Sequence, residues 1–240
     1  MLTQGSYEKA KLYAKTHDKD LGKMKIKSGV CVTISRESGA GADRVSHHLL
    51  NYFEKRHIIN TPHWTVFDRN LIDKVLEDHN LPQRLSEVLQ EKKVSVVSSM
   101  MNEWLSGEPS TWNLIHKTTQ TILQIGKNGN AIIIGRGGNI ITRKLPNAFH
   151  VRLVAPLEKR IQHIKELYNF NFDEAADFIK KEDFSRKRYL MSTFGKSVED
   201  TLYYDLIINT SSFGYDGSAE IIGRAVIKKF PSSFSEEIVI

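Results

Sequence analysis

The residues with the clearest chemical potential gather in one stretch, Ser35-Arg36-Glu37-Ser38-Gly39-Ala40-Gly41-Ala42-Asp43-Arg44. Gly39 and Gly41 can adopt positive φ and let main-chain N–H groups approach an anion closely. A helix starting near Ala42 would add the partial positive charge of its first turn. Together these features predict a phosphate site over Ser38, Gly39, Ala40, Gly41, Ala42, Asp43 and Arg44; a plain tight turn is the alternative. Other basic residues fall in short groups, such as Arg186-Lys187-Arg188, suited to a few phosphates. His47 and His48 have no His or Cys at ligand spacing, so zinc is not expected.

Those residues need a scaffold, and the hydrophobic pattern supplies one. Val30 to Ile34 is a continuous apolar run rich in β-branched residues, the pattern of a strand covered on both faces. After the glycine turn, Val45, Leu49 and Phe53 recur four apart, as on one face of a helix. Further strands are predicted at Trp64–Phe67, Ala131–Ile134, His150–Val154 and Leu206–Asn209. Helices are predicted around Leu71–Leu76, Trp112–Leu123, Leu157–Ile164 and Ile221–Val226. Asn171 followed by Glu174 fits a capping box for a helix carrying Phe178 and Ile179. Alternating strands and helices imply a mainly parallel sheet wrapped by helices. Ser6–Lys15 could form a short helix in an appendage, and Asp78–Pro109 reads as mostly helical, above the sheet. Ligands in such sheets bind beyond the carboxyl ends of the strands, which is where the glycine turn and Arg136 fall.

Composition narrows the classes. The chain has 240 residues and a formal net charge of +6. Residues 1–27 alone carry +4 of that charge, from seven lysines against Glu8, Asp18 and Asp20. The body is nearly balanced, which argues against a broad nucleic-acid face. No apolar run approaches the length of a membrane span, and the start lacks the pattern of a secretory signal. The single Cys31 lies in the first strand and reads as a buried structural thiol. A cytoplasmic protein is the expectation.

The ordered blocks then resemble a known family. Val32-Thr33-Ile34-Ser35-Arg36-Glu37-Ser38-Gly39-Ala40-Gly41 resembles the opening of the cytidylate-kinase-like family. The likeness continues through Phe67-Asp68-Arg69-Asn70-Leu71-Ile72, Ile133-Ile134-Gly135-Arg136-Gly137 and His150-Val151-Arg152-Leu153-Val154-Ala155-Pro156. It ends with Asp183, Arg186 and Tyr189 ahead of Tyr204-Asp205-Leu206-Ile207-Ile208-Asn209-Thr210. The resemblance implies a three-layer α/β P-loop NTPase fold: a parallel sheet of about five strands and a helical lid like that of nucleoside monophosphate kinases. Residues 1–28 would be a basic extension and 29–240 the kinase-like domain. Within it, about 68–128 would be a helical substrate-binding insertion and about 168–200 the lid.

The same resemblance implies ATP and Mg²⁺ as cofactors and a nucleoside monophosphate such as CMP or dCMP as substrate. Arg136, Arg186 and Arg188 would be catalytic. Arg36, Asp68, Lys74, Arg136 and Arg160 would contact the substrate, although Lys74 also suits a solvated surface lysine. The chain departs from the P-loop pattern of Gly, four residues, Gly-Lys and Ser or Thr. Arg36 stands at the first glycine, Ala42 at the lysine and Asp43 after it. Two unit charges about 4 Å apart interact by roughly 4 kcal/mol at an effective dielectric near 20, so replacing a lysine by an acidic surrounding is a large change. Ile134 and Gly137 replace the aspartates flanking the family's arginine. A nucleotide-binding protein without turnover is therefore carried as the alternative to a phosphotransferase, and oligonucleotide binding through the leader as a third reading.

Overall fold

The computed structural model describes residues 29–56, 62–68 and 111–234. The helices predicted at Ser6–Lys15, Leu71–Leu76 and within Asp78–Pro109 lie outside the described residues, as does Lys74.

Five strands form one sheet: β1 (Cys31–Arg36), β2 (Thr65–Phe67), β3 (Ala131–Ile134), β4 (Ala148–Val154) and β5 (Leu206–Asn209). Their spatial order is β2-β3-β1-β4-β5, and every neighbouring pair is parallel. All five predicted strands are present, with small differences at their ends. β1 runs two residues past its apolar stretch because Ser35 and Arg36 stay in register with Arg152 and Leu153. β4 starts two residues early, at Ala148 opposite Cys31.

Helices cover both faces. They are α1 (Ala42–Glu54), α2 (Thr111–Asn128), α3 (Gly138–Ile141), α4 (Leu157–Tyr168), α5 (Phe172–Phe194) and α6 (Thr210–Lys229), the last broken at Gly214. The one-turn α3 had no periodic signal, being shorter than the window such a reading needs.

One face is a dry core. Val45, Leu49 and Phe53 of α1 pack with Ile222 and Val226 of α6 onto Val32, Ile34, Val151 and Leu153. Trp64 stacks on Phe53 with ring centroids 4.2 Å apart and on Phe234 at 5.9 Å. Full burial of such side chains stabilises the fold by roughly 1.5–3 kcal/mol each. Cys31 is fully buried, and burial pushes its thiol up to about 12. That matches the structural reading of this residue.

The other face is more polar near β4. Thr33 Oγ1 and His150 Nδ1 are hydrogen bonded at 2.8 Å, both buried. Burial lowers His150 to about 4, partly offset by Asp205, so the imidazole is neutral near pH 7.

α4 and α5 form a hairpin whose turn passes through Asn169 in the left-handed region, φ 55. Ile161, Ile164, Ala175 and Ile179 hold the pair together. α5 begins with the predicted capping box. Asn171 Oδ1 accepts from Glu174 N at 2.9 Å, and Glu174 Oε2 accepts from Asn171 N at 2.8 Å. Among the described residues no helix is long and apolar enough to cross a membrane.

Candidate active site

β1 delivers the chain to the carboxyl edge of the sheet, and the ladder's last link is Glu37 N donating to Leu153 O at 3.0 Å. The backbone then turns through Gly39 (φ 82) and Gly41 (φ 79) into α1. Both glycines are needed for packing as well as for φ. A Cβ on Gly39 would lie 2.6 Å from Arg160 O, and one on Gly41 would run into the Tyr215 ring. The side-chain space the glycines leave is thus filled by the protein itself.

The loop does grip an anion, and that anion is a side chain. Ser38 N donates to Asp183 Oδ1 at 2.7 Å, and Ser38 is 3% exposed. Asp183 stands on α5, 145 residues away along the chain. Its other oxygen accepts from Arg160 Nη1 at 2.6 Å, and Arg186 Nη1 approaches Oδ1 at 3.4 Å. Arg160 Nη1 also donates to Ser38 O at 3.3 Å, and its Nε lies 3.5 Å from Glu37 Oε2. Glu37 Oε2 in turn accepts from Ala155 N at 3.2 Å. One backbone amide and two guanidinium groups therefore converge on a single carboxylate, a donor set equally suited to phosphate oxygens.

The outer side of the loop is closed by a second group. His163 Nδ1 lies 2.9 Å from Gly39 O and donates to it, with the Tyr215 hydroxyl 3.1 Å from the same nitrogen. Burial raises the Tyr215 phenol. Arg44 is exposed, with its guanidinium carbon 5.3 Å from the Tyr215 ring centroid, a cation–π contact. Asp43 is also exposed, in the first turn of α1. The carboxylate that faces the loop amide is thus Asp183, whereas the sequence had directed attention to Asp43.

The remaining sequence-selected residues divide by position. Arg36 ends β1, and a Cβ on Gly135 would collide with its Nη1. Arg136 follows β3, is 2% exposed and holds φ 53, a left-handed conformation that is costly for a side chain. Asp68 follows β2 and is half-buried. Arg36, Arg136 and Asp68 thus stand at the carboxyl ends of adjacent strands. Arg186 is turned to the loop, but Arg188 is exposed. Two residues on a helix are about 200° apart in azimuth, so Arg188 does not share Arg186's direction. Ala40 and Ala42 are buried in the core cluster, 1% and 7% exposed.

Glu37, His163, Tyr215 and the role of Asp183 were not found by sequence reasoning. Asp183 left a signal, its spacing with Arg186 and Tyr189. His163 and Tyr215 touch the loop from more than 100 positions away, and Glu37 lies in the loop but meets partners, Ala155 and Arg160, that are as distant; no local pattern records such contacts.

The donors around Asp183 fit a phosphate group, since a carboxylate already satisfies them. Protein ligands for Mg²⁺ are sparser. β3 ends in Ile134-Gly135, and among the described residues no group of three or more His, Cys, Asp or Glu is placed to hold a metal. A magnesium ion here would be held mainly by phosphates and water.

Comparison with known proteins agrees with this architecture. Residues 31–212 match the cytidylate kinase-like family. A cytidylate kinase of Thermococcus kodakarensis is 31% identical over 116 residues, covering 48% of this chain and 58% of that protein. A uronate isomerase of Corynebacterium glutamicum is 24% identical over 118 residues, 49% of this chain but only 23% of the isomerase. The chain thus spans little over half of the first relative's length and about a quarter of the second's. An uncharacterized protein from Eubacterium ventriosum has the same fold, with a TM-score of 0.60 and 16% identity over 82% of this chain and 98% of its own. With a parallel five-stranded sheet, a glycine loop after its central strand and a family match over most of its length, the chain has a three-layer P-loop NTPase fold and belongs to the cytidylate kinase-like family.

Proposed function

We propose that the protein is a nucleotide phosphotransferase that passes the γ-phosphate of ATP to a nucleoside monophosphate, CMP or dCMP. The observation that supports it most is the carboxylate of Asp183 bound by Ser38 N, Arg160 and Arg186. These donors already hold an anion at the carboxyl end of β1, and membership of the cytidylate kinase-like family supports reading a nucleotide phosphate in its place. ATP enters as Asp183 withdraws with α5, which acts as the lid arm of residues 168–200. Ser38 N and the loop from Gly39 to Arg44 then hold the donor phosphates, and Arg160 and Arg186 neutralise them. Arg36, Arg136 and Asp68 line the acceptor side, with Lys74 in the insertion 68–128. A phosphate oxygen of the acceptor attacks the γ-phosphorus in line, the bond to the β–γ bridging oxygen breaks, and ADP carries that electron pair away. Mg²⁺, when bound, would offset the charge of the phosphates. Such a protein would work in the cytoplasm, as a reduced Cys31 also suits.

A second reading is favoured by specific residues. Ala42 stands where a P-loop lysine would, and the loop amide holds Asp183. Both suit a protein that binds nucleotide without turning it over, and acts through a partner. Purified protein incubated with ATP, Mg²⁺ and a panel of monophosphates separates the two. Formation of CDP or dCDP above background supports the phosphotransferase. Calorimetric binding of ATP with no product supports the second reading, and absence of both removes each of them.

A further inference from the structure

A buried arginine lies on β4, beside β1, and the site described above does not use it. Phe149, Val151 and Leu153 of β4 enter the apolar core. Alternation sends Arg152 to the opposite face with His150. The register pairs Arg152 with Ser35, the residue before Arg36, and with Ile207 of β5. Arg152 is 9% exposed, and its Nη1 is fully buried with no hydrogen-bond partner.

Its surroundings offer aromatic and hydroxyl groups in place of a counter-ion. The guanidinium carbon lies 5.7 Å from the Tyr204 ring centroid. The Tyr204 hydroxyl is 3.4 Å from Ser35 Oγ and donates to Val198 O at 2.9 Å. Nearby carboxylates are occupied elsewhere. Asp205 accepts from His150 N and Lys229 Nζ, and Glu199 pairs with Lys187, which, with a smaller contribution from the charge of Arg152, holds its carboxyl below the usual range. His150 is neutral and bonded to Thr33. Among the described residues, no carboxylate is within ion-pair distance of Arg152, whereas Arg160 and Arg186 each have two.

A guanidinium stays charged in any protein environment, and burying it without an opposite charge costs several kcal/mol. An anionic ligand reaching the unpartnered Nη1 would supply both the missing charge and the missing acceptor. We infer that Arg152, with Ser35 Oγ beside it, forms a subsite for the monophosphate group of the acceptor nucleotide, covered by Tyr204. The cover belongs to the segment between α5 and β5, so the subsite opens when that segment moves. The inference rests on the phosphotransferase reading for the identity of the ligand. The need for an anion at Arg152 stands apart from it.

The test compares wild type with Arg152→Met, which keeps the side-chain bulk, and Arg152→Lys, which keeps the charge without the fork. The probes are CMP, cytidine, ATP and inorganic phosphate, read by calorimetry, thermal shift and steady-state kinetics. Arg152→Met is expected to weaken CMP binding at least tenfold, to leave cytidine and ATP within twofold, and to abolish any thermal shift by phosphate. Arg152→Lys should fall between. In turnover, KM for CMP rises while KM for ATP is unchanged. CMP affinity within twofold of wild type, or equal losses for CMP and ATP, overturns the inference. If Arg152→Met does not fold, the CMP-to-ATP comparison in Arg152→Lys decides on the same criteria. Should wild type bind no nucleotide, the kinase reading falls. A phosphate shift lost in either variant would then still support the subsite, and absence of a shift in wild type would overturn it.

Discussion

Asp183 is bound to Ser38 N at 2.7 Å and to Arg160 at 2.6 Å, so any phosphate entering the loop would compete with a carboxylate already in place. Charge-assisted hydrogen bonds contribute roughly 1.5–3 kcal/mol each, and only part of that is lost when another anion takes over. Asp183→Asn keeps an acceptor for the amide and removes the charge. It is expected to bind ATP or tripolyphosphate about tenfold more tightly, about 1.4 kcal/mol, in calorimetry on the folded variant. The same change leaves Arg160 with a weaker partner and lowers the urea midpoint. Unchanged or weaker binding would mean that Asp183 is a structural strut and no stand-in for phosphate.

At the scale of elements, α5 carries both Asp183 and Arg186, so the hydrogen bonds that close the loop depend on where α5 sits. Its start depends on the reciprocal Asn171–Glu174 hydrogen bonds and its packing on the small cluster around Ile161 and Ile179. Removing an N-cap side chain typically costs about 1 kcal/mol. Asn171→Ala is therefore expected to speed hydrogen exchange of the Asp173–Ala175 amides about fivefold, with a smaller change in strand amides. Equal acceleration across β1 and β4 would show that the hairpin and the sheet open as one unit. The helix was legible in the sequence because its cap lies within three residues. Its contact with the loop was not, because Asp183 is 145 residues from Ser38.

For the whole molecule, the polar layer between β1 and β4 sets a pH limit. His150 is held at about 4, against an unfolded value near 6.5, with burial as the main cause. Asp205 opposes that shift, while Lys229 and Arg143 reinforce it. Between those two pH values the unfolded chain binds a proton that the native chain does not, so stability falls as the pH drops from about 6.5 toward 4. The full effect is about 3 kcal/mol. Urea midpoints should thus decline over this window in wild type, and the decline should shrink in His150→Asn. An identical decline in both would assign the acid sensitivity to other groups.

Hydrophobic pattern alone determined the strands and most of the helices. Continuous β-branched runs and four-residue spacings follow from burial that is local along the chain. The family followed from ordered short blocks, and the glycine turn from residue types that permit positive φ. Tertiary structure decided what those parts do to one another. It turned Arg186 toward the loop while Arg188 faced solvent, filled the glycine spaces with Arg160 and Tyr215, and buried Arg152 beside Ser35. Contacts of this kind join residues a hundred or more positions apart, and parallel strands with helical crossovers create them. Only the folded sheet brings their charges within hydrogen-bonding distance.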